Sequence, residues 1–143
     1  MAYALRLLAR RDHTEREMAA RLAAMGYSRA ETDEVLARLN DWGYLDDRAV
    51  AARAIERALT RRPRGRLLLA RELEARGIAA PIVDEALGRY TDEREEEAAR
   101  AVLARQGLRA PFCAADRARA WRTLRRLGFT DSTIERFCGL ADA

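Results

Sequence analysis

Three glycines constrain this chain more than anything else in it. Gly26, Gly77 and Gly128 lie 51 residues apart, and each precedes an aromatic or aliphatic residue: Tyr27, Ile78 and Phe129. The register extends both ways. Leu22, Leu73 and Leu124 stand four residues upstream. Thr32, Val83 and Ile134, then Val35, Ala86 and Phe137, then Leu36, Leu87 and Cys138 follow, and Asp33, Asp84 and Glu135 repeat an acid. A fixed glycine column among shared apolar columns marks a repeated unit, and tandem arrays carry this signature. Composition decides what the unit is made of. Ala and Leu supply 30 and 18 of the 143 residues, against 15 for Val, Ile and Thr together. Helix formers dominate and strand formers are scarce. The expected fold is all-α, an elongated array of three tandem three-helix repeats, at residues 1–45, 46–91 and 92–143.

Each unit reads as three helices. Ala4, Leu5, Leu8 and Ala9 make an apolar stripe that ends near Arg11. Thr14 with Glu17, and Ser28 with Glu31, have capping-box spacing, in which hydroxyl and carboxylate satisfy opposing backbone N–H groups. Met18, Leu22 and Met25 are predicted to face inward. Gly26 supplies the left-handed residue that ends the helix, and Tyr27 packs back on its last turn. Thr32, Val35, Leu36 and Leu39 share a face of the third helix, which stops near Trp42-Gly43. In the second unit Asp46-Asp47 suit a helix start, and Val50, Ala54, Ile55, Ala58 and Leu59 run to about Thr60. Pro63 and Gly65 break the chain, the next helix runs to Arg76, and Pro81 suits the first position of the one after. The third unit's helices are predicted from Thr91 to Gln106, Phe112 to Leu127 and Asp131 to Leu140. Helices this short do not stand alone in water. Each unit must bury its stripes within itself and against its neighbours, with few contacts between first and last.

Enzyme chemistry finds little support. His13 is the one histidine, which excludes a His-rich metal site, and a turn or capping role suits its place before Thr14. Dinucleotide, P-loop and zinc-protease motifs are absent from the sequence. Most acids have a capping or helix-surface explanation, Asp46-Asp47 included, so no catalytic residue, metal ligand or cofactor is assigned. Cys113 and Cys138 read as structural thiols. No apolar run approaches the length of a membrane span, and a charge at Arg6 leaves no room for a secretory segment. A cytoplasmic protein is expected.

The net charge of +4 conceals a strong pattern. Every one of the 27 basic residues is Arg, a choice that fits GC-rich coding as well as function. Arg48 to Arg71 holds eight arginines and one acid, Glu56. Arg100 to Arg126 holds eight and one acid, Asp116. Between them Asp92-Glu93-Arg94-Glu95-Glu96-Glu97 is strongly acidic. Arg pairs with phosphate through a planar fork, so Arg57, Arg61, Arg62, Arg64, Arg66 and Arg71 are candidate contacts to nucleic acid or an acidic partner. Arg119, Arg122, Arg125 and Arg126 extend the footprint around Trp121, which could stack a base or pack in the core.

The motifs line up with a known family. Ala4-Leu5-Arg6-Leu7-Leu8-Ala9-Arg10-Arg11-Asp12-His13-Thr14, then Glu17-Met18 and Leu22, resembles the opening of the RecX regulatory proteins. Gly43-Tyr44-Leu45-Asp46-Asp47 and Arg64-Gly65 through Arg71-Glu72-Leu73-Glu74-Ala75-Arg76-Gly77-Ile78 look like that family's second motifs, and Leu124-Arg125-Arg126-Leu127-Gly128-Phe129 like its third. Ala49-Val50 departs from it, since an aromatic usually follows Asp-Asp there. The resemblance implies a non-catalytic, monomeric modulator of the RecA recombinase in DNA repair and the SOS response. It would bind the RecA–DNA filament, with contacts to single- or double-stranded DNA, and restrain filament growth, ATP hydrolysis, strand exchange and coprotease activity. The alternative from the residues alone is a free-standing helix-turn-helix DNA-binding regulator, since a helix, a glycine turn and a second helix also describe that motif.

Overall fold

The computed structural model describes residues 1–139; Leu140, the predicted end of the last helix, lies outside them. The described residues form nine helices in three sets of three. They are α1 (Ala2–Arg10), α2 (Glu15–Ala24) and α3 (Arg29–Asp41), then α4 (Asp47–Thr60), α5 (Arg66–Ala75) and α6 (Ala80–Leu87), then α7 (Asp92–Arg105), α8 (Ala114–Arg126) and α9 (Asp131–Cys138). Both capping boxes form, at Thr14/Glu17 and Ser28/Glu31. Asp46, Thr91 and Thr130 cap α4, α7 and α9 through their side chains. Pro81 takes the second helical position rather than the first, because Ala79 caps α6 and Ala80 opens it.

The repeat holds at the backbone. Gly26, Gly77 and Gly128 adopt φ of +92°, +88° and +78°. After each, the N–H of Tyr27, Ile78 or Phe129 donates to the carbonyl of Leu22, Leu73 or Leu124 at 3.1, 3.2 and 3.0 Å. This six-residue closure satisfies a carbonyl that the helix end leaves open. Those three leucines are fully buried. Met18, Thr32, Val35, Leu36 and Leu39 are buried as predicted, but Met25 is 57% exposed. It is the C-cap residue, beyond the last residue of α2, so its side chain leaves the inward stripe.

Burial within and between units is unequal. The first unit has its own core around Ala4, Met18, Leu22, Leu36, Leu39 and Leu45. The second and third share one, running from Val50 and Ile55 through Leu69, Leu73 and Tyr90 to Leu103, Leu124, Phe129 and Ile134. The physical difference lies in the joints. At both, the turn that follows one unit's middle helix seats on the start of the preceding unit's middle helix. Thr14 and Gly65 are one repeat apart, as are Arg76 and Leu127. The Thr14 hydroxyl donates to the Arg76 carbonyl at 2.7 Å, and the Gly65 N–H donates to the Leu127 carbonyl at 2.8 Å.

The first joint is otherwise polar. Arg76 Nε donates to Glu17 Oε1 at 2.8 Å, Arg53 and Arg57 reach Asp12, and Asp47 accepts from the Glu15 N–H at 3.0 Å. His13 is buried in this region, with Nδ1 3.0 Å from the Arg11 carbonyl, which fits its turn role. The second joint is tight backbone packing. A Cβ on Gly65 would fall 2.3 Å from the Gly128 carbonyl carbon, and one on Gly128 would fall 2.3 Å from Leu68 N.

Candidate functional site

Tertiary structure sorts the arginines into those consumed by the fold and those left to solvent. Arg64 is consumed. It is 8% exposed, its Nε donates to Glu72 at 2.6 Å and its Nη1 to the Arg62 carbonyl at 3.0 Å. The Tyr90 hydroxyl donates to the Arg64 carbonyl at 2.7 Å; burial, then the Glu95 charge, push that phenol well above its ordinary range. Arg66 is half-buried, lying over the Tyr90 ring and reaching Asp92 at 3.2 Å. Arg64 is thereby withdrawn from the exposed cationic surface, and Arg66 partly so, its Nη2 held by the Tyr90 carbonyl and Asp92. Arg57 leans on Asp12 at 3.4 Å. Arg105 turns to the carbonyls of Thr60 and Arg61. Arg61, Arg62 and Arg71 remain exposed with no side-chain ion pair among the described residues.

On α8 the outcome is different. Arg119, Arg122 and Arg126 sit at i, i+3 and i+7, which places them along one side of the helix. All three are exposed and carry no ion pair among the described residues. At the α-helical rise they span about 10 Å. Arg125 flanks them; its contact with Asp131 is long, 3.5 Å, and both side chains are well exposed, so solvent screens it and little holds it. The cap of α8 is Cys113, whose sulfur accepts from the Asp116 N–H, and Ala120, Thr123 and Leu124 bury the opposite side. The cations therefore face out because the apolar stripe faces in.

The second joint carries this ridge to the other basic block. A groove of about 250 Å³ at the joint is lined by Leu67, Leu68 and Arg71 from α5 and by Arg125, Arg126 and Phe129. Arg71 and Arg126, 55 positions apart in sequence, thus border one groove. On the other side of the ridge, half-buried Trp121 packs against the shared core. It also lines a groove of about 350 Å³ with Ala114, Ala118 and Arg122. The arrangement offers a row of guanidinium forks to an extended anion, with apolar surface on either side. No group of three or more metal-ligating side chains gathers among the described residues.

Glu95 is the residue that sequence reasoning missed. It belongs to the acidic run yet is fully buried on α7. Its carboxylate accepts from the Arg66 N–H (3.0 Å), the Thr130 N–H (3.3 Å), the Thr130 hydroxyl (2.8 Å) and the Thr133 hydroxyl (2.7 Å). It fastens the start of α5 to α9 and so fixes the joint that supports the ridge. The helical spacing of Glu95 with Ala98, Ala99 and Val102 is the one signal that could have found it.

Of the three glycine turns that suggested helix-turn-helix readers, those at Gly77 and Gly128 press on Arg16 and Leu68 of the preceding unit, while Gly26 has open space beside it. No helix of the described residues is long and apolar enough to cross a membrane.

Comparison with known proteins gives concordant matches. Residues 1–39 match the model of the RecX first three-helix domain, and residues 46–87 that of the RecX second three-helix domain. Regulatory protein RecX of Halorhodospira halophila is 36% identical over 142 residues, covering 97% of this chain and 86% of the relative. The protein of that name from Thermus thermophilus is 43% identical over 129 residues, covering 90% and 82%. Among solved structures, RecX from Lactobacillus salivarius superposes with a TM-score of 0.80 at 20% identity, covering 94% of this chain and 89% of that one. A second structure of a regulatory protein RecX gives 0.82 at 21% identity, covering 95% and 69%.

Proposed function

The chain belongs to the RecX family of regulatory proteins, and from that premise we propose that it modulates the RecA recombinase by binding along the RecA–DNA filament. It restrains filament growth and with it ATP hydrolysis, strand exchange and coprotease activity. It acts in the cytoplasm as a monomer and does so by occupancy, with no covalent chemistry of its own. The observation that carries the reading is the α8 ridge of Arg119, Arg122 and Arg126, joined across the second joint to Arg71. Guanidinium forks aligned along one side of a helix pair with successive phosphates. An extended helical array suits a partner that is itself extended.

The test is RecA-dependent ATP hydrolysis on single-stranded DNA. Sub-stoichiometric protein should slow it, and no slowing at stoichiometric excess would refute the proposal. For the ridge, binding to a single-stranded oligonucleotide is measured against salt. Replacing Arg119, Arg122 and Arg126 by Ala should weaken binding and reduce the log–log salt slope by about 2, at roughly 0.7 per phosphate contact. An unchanged slope would place the contact elsewhere.

A further inference from the structure

The first unit leaves two of the chain's largest side chains in water at one corner. Trp42 is 55% exposed and Tyr44 56%. They meet edge to face with ring centroids 6.3 Å apart. The backbone beneath them is fixed. The Trp42 N–H donates to the Arg38 carbonyl at 3.0 Å, and the N–H groups of Tyr44 and Leu45 both donate to the Leu39 carbonyl, at 2.9 and 3.3 Å. Leu45 then enters the first core, 4% exposed. The rings are thus displayed by a closed turn whose next residue is anchored. Beside Tyr44 a groove of about 220 Å³ opens at the first joint, with Leu8 and Val50 among its apolar walls and Asp12, His13, Asp46 and Arg53 among its polar ones.

The charge around this corner is opposite to that of the α8 ridge. Residues 41–47 contain Asp41, Asp46 and Asp47 and no arginine. The nearby cations are paired with other acids, Arg11 with Glu17, Arg48 with Glu85, and Arg53 and Arg57 with Asp12, which leaves Asp41, Asp46 and Asp47 as the unbalanced charge. Phosphate is repelled by such a rim. A cationic protein surface is drawn to it, because complementary charge steers encounter and fixes register. Rigid aromatics with two side-chain torsions lose little entropy on binding and dominate hot spots.

We propose that the Trp42–Tyr44 corner is a protein-docking surface for a partner presenting an apolar pocket ringed by Lys or Arg. The inference rests on the RecA reading above and deepens it: the first unit grips the protein component of the filament while the third unit's ridge grips DNA.

The experiment compares W42A/Y44A and, separately, D41K with the unaltered chain on two probes, RecA-coated single-stranded DNA and the same oligonucleotide naked. Both rings are exposed, so helicity and thermal midpoint should hold. Filament affinity should fall roughly tenfold or more for the double variant and more modestly for D41K, while affinity for the naked oligonucleotide stays constant. Unchanged filament affinity overturns the inference. Equal loss on the naked oligonucleotide overturns it in favour of a nucleic-acid surface. Lost self-association in sedimentation, with filament binding intact, overturns it in favour of a second copy of this chain. If the unaltered chain binds the oligonucleotide but not the filament, the parent reading falls and this one with it.

Discussion

Substituting Ala at each repeat glycine separates local backbone strain from joint packing, because the three positions share one conformation and differ in what lies beyond. At Gly26 a Cβ meets nothing within 4 Å. The cost is that of forcing an L-residue into the left-handed region, about 1 kcal/mol. At Gly77 the Cβ falls 2.2 Å from Arg16 Cδ and 2.6 Å from its Cβ. Rotating the exposed Arg16 side chain clears Cδ, but its Cβ is fixed to the α2 backbone and needs a small shift of the first joint, for a total of about 3 kcal/mol. At Gly128 the Cβ falls 2.3 Å from Leu68 N and 2.8 Å from Leu68 Cα, and backbone has nowhere to go. The joint must open, loosening the Gly65 N–H to Leu127 and Leu67 N–H to Gly128 hydrogen bonds of 2.8 and 2.9 Å. Two such bonds at about 1 kcal/mol each, the left-handed strain, and about 1 kcal/mol from partial exposure of the core beneath sum to about 4 kcal/mol. Urea unfolding followed by circular dichroism gives all three values. The predicted order is Gly26→Ala, Gly77→Ala, Gly128→Ala, from mildest to most severe. If Gly26→Ala costs as much as Gly128→Ala, the joint contributes nothing and the reasoning fails.

Two further outcomes follow from buried and half-buried carboxylates. Glu95→Ala strands two hydroxyls and two N–H donors inside the second joint and should cost about 3–5 kcal/mol in thermal or urea unfolding; Glu95→Gln, which keeps one acceptor oxygen, should cost visibly less. Burial raises the Glu17 carboxyl, but the Arg76 guanidinium and Thr14 together outweigh it and hold the group below its ordinary range. A depressed folded-state pKa contributes stability above the unfolded value of about 4.3 that is lost as pH falls through the folded one. Amide exchange around α2 and the Gly77 turn should therefore accelerate as pH drops below about 4 relative to the intrinsic rate, and Glu17→Gln should remove that extra acceleration.

Local rules made most of the fold legible. Thr14, Glu17, Ser28 and Glu31 fix helix starts through bonds that span three residues, and Gly26, Gly77 and Gly128 fix helix ends through the absence of a Cβ. Such signals need no tertiary partner to be read. The errors lie where a residue sits at an element's edge. Met25 keeps helical spacing with Leu22 but falls one residue past the end of α2, and Pro81 slips by one position because Ala80 was free to open α6. The candidate site was legible only in part. Sequence located both basic blocks but set Arg119, Arg122, Arg125 and Arg126 around Trp121 without separating the exposed side of the helix from the buried one.

What sequence determined by itself is therefore periodic and short-range: an all-helical chain, its repeat of 51, its caps, its turns and its two basic blocks. What tertiary structure decided is which charges remain available. Arg64 and Arg62 are indistinguishable as letters in a basic run, yet one is sealed against Glu72 and the other faces water. Glu95 lies in a run of solvated acids and is the one that four donors draw inward. Trp42 and Tyr44 carry the apolar bulk of core residues and stand outside it. Burial and pairing depend on partners from tens of positions away, brought near by the joints, and no periodicity within one helix encodes them.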